Sequence, residues 1–102
     1  MKLRALATAR SGDKGADANI ALFAKDEAAY QLIESQVSEE ALLKFFEKLG
    51  VTRVKRYAVP QLATFNFVLY NVLGEGGSLN LRSDAQGKAL GELLLEMEIE
   101  NE

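Results

Sequence analysis

The residues best suited to chemistry lie in one short segment near the start of the chain. Two apolar runs flank this segment, which reads Arg10-Ser11-Gly12-Asp13-Lys14-Gly15 and contains glycines, a carboxylate and cations. Bare glycine amides beside a lysine can approach an anion such as phosphate. The spacing does not fit a P-loop, since Gly12 is too close to Lys14 and a strand is expected to follow. A carboxylate here would also repel a phosphate unless a cation such as Mg²⁺ lay between them.

A structural interpretation of the same segment is equally open. A plain hairpin would need only Asp-Gly or Asn-Gly at the turn. In a long hydrogen-bonded turn, Asp13 would accept from backbone amides and Lys14 would pair with Asp17. Polar loops between rigid strands often carry function, so both interpretations stand at this point.

Two asparagines, Asn19 and Asn66, are each flanked by apolar residues. A buried amide without partners costs ~1–3 kcal/mol, so each is expected to bond to backbone or to the polar loop. Holding the loop in place is the simpler role. In the alternative, both amides face a carbonyl or carboxylate of a ligand.

A second polar cluster, at residues 82–88, contains Arg82 and Asp84. An Arg82–Asp84 pair that fixes a turn is the simpler interpretation. If the strand carrying Arg82 lay beside the first strands, Arg82 would join Arg10 and Lys14 in an anion-binding pocket. Asp13 or Asp84 could then serve as the acid–base group.

The composition limits the chemistry further. The chain has 102 residues, 15 acidic and 12 basic, and contains neither histidine nor cysteine. Disulfides, thiol nucleophiles, histidine-based triads and the usual structural zinc sites are therefore excluded. We assign no catalytic residue, no metal site and no cofactor, and the sequence leaves open whether the domain is an enzyme.

Size and charge indicate a single domain over residues 1–102. The apolar fraction of 48% is enough for a packed core, and the net charge of −3 lacks the basic excess of a nucleic-acid-binding protein. No stretch approaches the ~20 apolar residues of a membrane span, and the start of the chain lacks the apolar run of a signal peptide. We expect a cytoplasmic protein with neither a nucleic-acid nor a membrane partner.

The elements that would position these residues follow from apolar spacing. Residues 2–10 alternate as a strand with small inner side chains, and residues 18–24 are apolar on both faces. Asp26 predicts the start of a helix that runs to about Gln36, and Ser38 predicts a second one. Residues 51–59 read as a strand near a sheet edge. Its basic side chains either protect that edge from aggregation or dock an acidic partner.

The second half of the chain is less clear. Residues 62–73 fit both a helical stripe and a strand, and we favour the helix. Residues 74–78 predict a loop and residues 79–82 a short strand. A last helix, begun by Ser83 or Asp84, competes with a turn at 84–87 followed by a strand. In the helix, Gly87 and Gly91 would allow close approach of a neighbour.

With these segments in view, the chain resembles a known family. The resemblance rests on four motifs in the family's order: Arg10–Gly15 with Asp17–Ile20, Asn66–Leu69, Leu73–Ser78 and Leu81–Lys88. It covers essentially the whole chain and points to the C-terminal domain of the acyclic terpene utilisation (AtuA) proteins. It implies an α+β, ferredoxin-like fold, an antiparallel sheet with helices packed on one face.

The resemblance also implies a function. AtuA proteins are linked to the breakdown of acyclic terpenes and other branched acids through acyl-CoA intermediates, and this domain follows a larger region in the long members. We expect an accessory subunit, non-catalytic by itself, that docks onto a separately encoded larger AtuA-type subunit. The alternative is a small domain that binds a carboxylate, phosphate or CoA-type anion through the Ser11–Gly15 loop. A homo-oligomer is compatible with both.

Overall fold

A four-stranded antiparallel sheet carries all the described helices on one face. The computed structural model describes residues 1–72 and 88–100, and its strands lie in the order β1-β2-β4-β3. The elements are β1 (Ala7–Lys14), β2 (Asp17–Ala24), α1 (Glu27–Gln36), α2 (Glu39–Phe45), β3 (Arg53–Val59), β4 (Thr64–Tyr70) and α3 (Lys88–Leu94). Short 3-10 turns cover Leu3–Ala5, Glu47–Leu49 and Pro60–Leu62. The predicted α+β fold, with helices on one face of an antiparallel sheet, is confirmed.

The core lies between the sheet and the helices. Alternate residues of the two central strands are buried there: Ala18, Ile20 and Leu22 of β2, and Phe65, Phe67 and Leu69 of β4. Ile33 of α1, Leu42 of α2 and Leu90 of α3 belong to the same buried cluster. Since successive strand residues point to opposite sides, the remaining residues of β2 and β4 face away from the helices.

The helix favoured over residues 62–73 is wrong. Thr64–Tyr70 is the strand β4, which pairs with β2 on one side and β3 on the other. The chain reverses before it, at Ala63, whose φ of 51° is left-handed. Phe65 and Leu69 fit a helical stripe as well as an alternating one, so only the pairing on both sides decides between them.

The bounds predicted for the first strand are also wrong. Leu3–Ala5 is a 3-10 turn, and β1 begins at Ala7 and continues to Lys14 through most of the predicted loop. Ser11 pairs with Ile20 and Lys14 with Asp17, so only Gly15 and Ala16 remain between the strands. Gly15 has a φ of 67°, which this two-residue turn requires and which glycine adopts without strain.

The predicted helix starts are confirmed. The Asp26 carboxylate accepts a hydrogen bond from Ala29 N at 2.8 Å, and Ser38 Oγ accepts one from Ala41 N at 3.1 Å. The edge position predicted for residues 51–59 is confirmed by β3. In the described part of the last segment, α3 agrees with the predicted helix. The predictions for residues 74–87 lie outside the described residues.

The two ends of the described chain are joined to each other. Leu3 N donates to Met97 O at 2.8 Å, and Ile99 N donates to Met1 O at 2.7 Å. Beside this backbone pairing, Arg4 Nε donates to the Glu96 carboxylate at 3.0 Å. Lys2 forms a second ion pair with Glu96 at 3.1 Å.

These cations set the titration of Glu96. The hydrogen bond from Arg4 is the largest cause that lowers the pKa of Glu96, followed by that from Lys2. A lowered folded-state pKa stabilises the fold above the unfolded-state pKa of about 4.3, and this contribution disappears as the pH falls through the folded-state value. We predict that Glu96→Gln lowers the melting temperature at pH 7 by about 1–4 °C, as expected for an exposed pair.

Thermal unfolding at pH 7 and near pH 2 checks this prediction, because at the lower pH the difference from the wild type should vanish. Glu34→Gln, at an exposed position of α1, is the matched control and should leave the melting temperature unchanged at both pH values. A deficit of Glu96→Gln that persists undiminished in acid would contradict the electrostatic origin.

Candidate functional site: the open face of the sheet

The sheet face opposite the described helices holds polar, aromatic and small side chains, and we call it the open face. Strand pairing and alternation define its members. The members whose side chains are described are Thr8, Arg10 and Gly12 of β1; Asp17, Asn19, Ala21 and Phe23 of β2; Arg53, Lys55, Tyr57 and Val59 of β3; and Thr64, Asn66, Val68 and Tyr70 of β4.

We call the middle of the open face the basin, because short side chains of the central strands lie there between longer ones on the edge strands. One cross-strand row runs from Arg10 through Ala21 and Asn66 to Tyr57. Ala21 and Asn66 are half-buried and short, whereas Arg10 is exposed and Tyr57 is 49% exposed. The long side chains therefore stand at the two edges, and the small ones form the floor between them.

The next row continues the basin. It runs from Gly12 through Asn19 and Val68 to Lys55. A Cβ at Gly12 would lie 3.6 Å from Asn19 Oδ1, an ordinary van der Waals contact. The Asn19 side chain therefore lies beside Gly12 of the neighbouring strand β1.

One end of the open face forms a groove of about 470 Å³. Its lining residues are Asp17, Ala18, Asn19, Val68 and Tyr70. Asp17 Oδ1 accepts a hydrogen bond from Asn71 N at 2.8 Å, which anchors the residue after β4 to the start of β2. The guanidinium carbon of Arg53 lies 5.2 Å from the centre of the Tyr70 ring, a cation–π contact. The hydrogen bond and the cation–π contact together stabilise this end of the open face.

Charge is divided between the two sides of the domain. The open face carries the cations Arg10, Arg53 and Lys55 against the carboxylate of Asp17. The exposed acids of the helices lie on the other side: Glu27 and Glu34 of α1, Glu39 and Glu40 of α2, and Glu92 of α3. The described open face is thus basic although the chain has a net charge of −3.

The structure separates the residues predicted to form one site. Ser11 and Asp13 occupy the helix side of β1, whereas Arg10 and Gly12 occupy the open face. Ser11 Oγ accepts a hydrogen bond from Gly91 N at 3.0 Å. Neighbours in sequence thus lie on opposite sides of the sheet, and Ser11 contacts α3.

The close approach predicted for Gly91 is confirmed. A Cβ at this position would lie 3.1 Å from Ser11 Oγ and 3.4 Å from Ala9 Cβ. The small side chains on the helix side of β1 therefore let α3 pack tightly against the strand. Gly87, the other glycine of that prediction, lies outside the described residues.

The two asparagines lie on adjacent strands of the open face. Asn19 is exposed and Asn66 is half-buried. Among the hydrogen bonds between described residues, none involves either side chain. By strand alternation both lie on the same side of the sheet as Arg10.

The remaining predicted site residues lie at the ends of the described strands or beyond them. Lys14 is the register partner of Asp17 at the end of β1, and Gly15 forms the turn. Arg82 and Asp84 lie outside the described residues. Sequence reasoning missed Tyr57 and Tyr70 as members of the site, and only a strand assignment for residues 64–70 would have placed them on the same face as Asn66 and Arg10.

Within residues 1–72 and 88–100, no group of three or more His, Cys, Asp or Glu side chains is arranged so that it could hold a metal ion. In the same residues, no helix is long and apolar enough to cross a membrane.

Comparison with known proteins identifies the family. The model of the AtuA ferredoxin-like domain matches residues 1–100, so the chain belongs to this family. Searches of curated proteins and of solved structures give no match.

The contact between Ser11 and Gly91 predicts a structural role for this serine. We expect Ser11→Ala to lower the free energy of unfolding by about 1–2 kcal/mol, because the hydrogen bond from the buried Gly91 amide to Ser11 Oγ is lost. Chemical denaturation measures the change. Ser35→Ala, which removes an exposed hydroxyl bonded to Leu32 O, is the matched control and should cost far less. Equal losses in the two variants would contradict the proposed role.

Proposed function

We propose that this AtuA ferredoxin-like domain is a non-catalytic accessory module of an AtuA-type complex in acyl-CoA or branched-acid catabolism. In this proposal it associates with a larger AtuA-type subunit through its open face. The observation that carries the proposal is the one-sided packing of the sheet. All the described helices lie on one face, and the other presents half-buried apolar side chains with none of these helices over them.

The chemistry of the open face supports association. Phe23, Val68 and Tyr70 are each half-buried, and Tyr57 adds a largely exposed aromatic ring. Aromatic residues are enriched at protein interfaces, and an exposed apolar surface rimmed by polar groups is typical of an interaction site. The two exposed arginines of the edge strands, together with Tyr57, would form such a rim around the apolar side chains of the central strands.

The division of the predicted site supports a non-catalytic role. A nucleophile or base must lie within hydrogen-bond reach of the group it acts on. Ser11 and Asp13 are across the sheet from Arg10, Asn19 and Asn66, so the two sets do not face a ligand from the same side. Ser11 is engaged by α3 and Asp17 by the Asn71 amide.

A second candidate function is binding of a small anion, and one observation favours it. Arg10, Asn19 and Asn66 face the same basin, where a guanidinium and two amides could hold a carboxylate, a phosphate or a CoA-type ligand. This candidate moves the site from the Ser11–Gly15 segment, expected from the sequence, to the open face.

Coexpression with a larger AtuA-type subunit tests the leading proposal. We predict that the wild-type domain co-elutes with that subunit in size-exclusion chromatography. Ala21→Arg, which fills the floor of the basin, should weaken the complex at least tenfold in a titration of the purified components. Ala28→Arg, the same substitution at an exposed position of α1, should not affect it.

The outcomes separate the two candidates. Thermal unfolding first verifies that both variants are folded. Failure of the wild-type domain to form a complex, or equal effects of the two arginine substitutions, would overturn association through the open face. If the isolated domain is instead stabilised by CoA, phosphate or a small carboxylate, and Ala21→Arg abolishes that effect, anion binding is the function.

A further inference from the structure

We infer that the surface that the open face recognises is an acidic, partly apolar protein surface of the larger subunit. This inference rests on the proposed function and specifies the chemistry of the partner. Its basis is the placement of charge on the open face relative to the apolar centre and to the acidic helices.

The cations frame the open face from both sides. Arg10 lies on β1 and Arg53 and Lys55 lie on β3, which are the two edge strands of the sheet. Arg10 and Arg53 are exposed, and Lys55 is half-buried. Between them lie the apolar and amide side chains of the central strands. A partner that buried its own apolar side chains here would therefore meet positive charge along both borders.

The acid on this face does not cancel that charge. Asp17 accepts the hydrogen bond from Asn71 N at 2.8 Å and lies at one end of the face. Three cations against one carboxylate leave the described open face positive. The positive open face attracts an acidic partner, whereas the acidic helices repel it. These charges therefore favour docking of the partner on the open face.

A second copy of the chain fits this surface poorly. Two open faces in contact would bring the cations of both copies together, and like charges across an interface oppose association. A single-stranded nucleic acid also fits less well. The Asp17 carboxylate borders the groove, and the Arg53 guanidinium already lies over the Tyr70 ring on which a base would stack. The observations therefore favour an acidic protein surface.

Charge reversal at the two exposed arginines tests the inference. We predict that the double variant Arg10→Glu and Arg53→Glu weakens the complex with the larger AtuA-type subunit at least tenfold, measured by calorimetric titration. The matched control is Lys44→Glu with Lys48→Glu, which changes the net charge equally on the helix side. It should change the affinity far less than the arginine variant does, because its substitutions lie away from the open face. For the wild type, raising NaCl from 50 to 300 mM should weaken the complex severalfold, since salt screens the attraction between charged surfaces.

Each result has a separate meaning. A wild-type complex that is insensitive to salt and to reversal of the arginines overturns this inference and leaves association intact. Equal weakening by both double variants attributes the effect to net charge and also overturns it. Failure of the wild type to bind at all overturns the proposed function as well. Tight binding of a ten-nucleotide uridine RNA, lost in the arginine variant, would assign the face to nucleic acid instead.

Discussion

The structure depends on one constraint, the alternation of buried and half-exposed residues in the two central strands. Ile20 and Phe67 pair across the sheet beneath the helices, while Ala21 and Asn66 pair on the other side. A slip of one residue in either strand would turn its buried set to the opposite face, so the register is fixed by burial. Because the register puts the buried apolar residues on one face, the described helices pack on that face. The alternate residues then make up the open face.

The contact between β1 and α3 shows that a segment with the residue types of a binding site also packs a helix against the sheet. Ala9 and Ser11 are small, and Gly91 has no side chain, so strand and helix approach within hydrogen-bond distance. A larger residue at any of these positions would push the helix away from the sheet. Ser11, which suggests an anion-binding loop, is thus explained by packing and Gly15 by the turn, and the open face receives only the alternate residues of the segment.

The sequence predicts features set by local interactions and misses those set by pairing. The starts of α1 and α2 are predicted correctly because Asp26 and Ser38 accept from amides three residues away. The strand β4 is missed because its spacing fits both periods and its two partners are distant in the sequence. The placement of the predicted site residues depends on the same pairing. Proximity in sequence suggests that Arg10 and Ser11 act together, but strand alternation sends them to opposite faces.

The basic strand β3 shows how alternation assigns different tasks to neighbouring cations. Arg53 and Lys55 lie on the open face, whereas Arg56 points to the helix side. Its guanidinium donates to Glu34 O at 3.1 Å and to Val37 O at 2.9 Å, where the carbonyls at the end of α1 attract positive charge. It also lies 5.2 Å from the centre of the Phe65 ring. The basic cluster of the sequence therefore divides into Arg56, which binds the end of a helix to the sheet, and two cations on the open face, one of which lies over the Tyr70 ring.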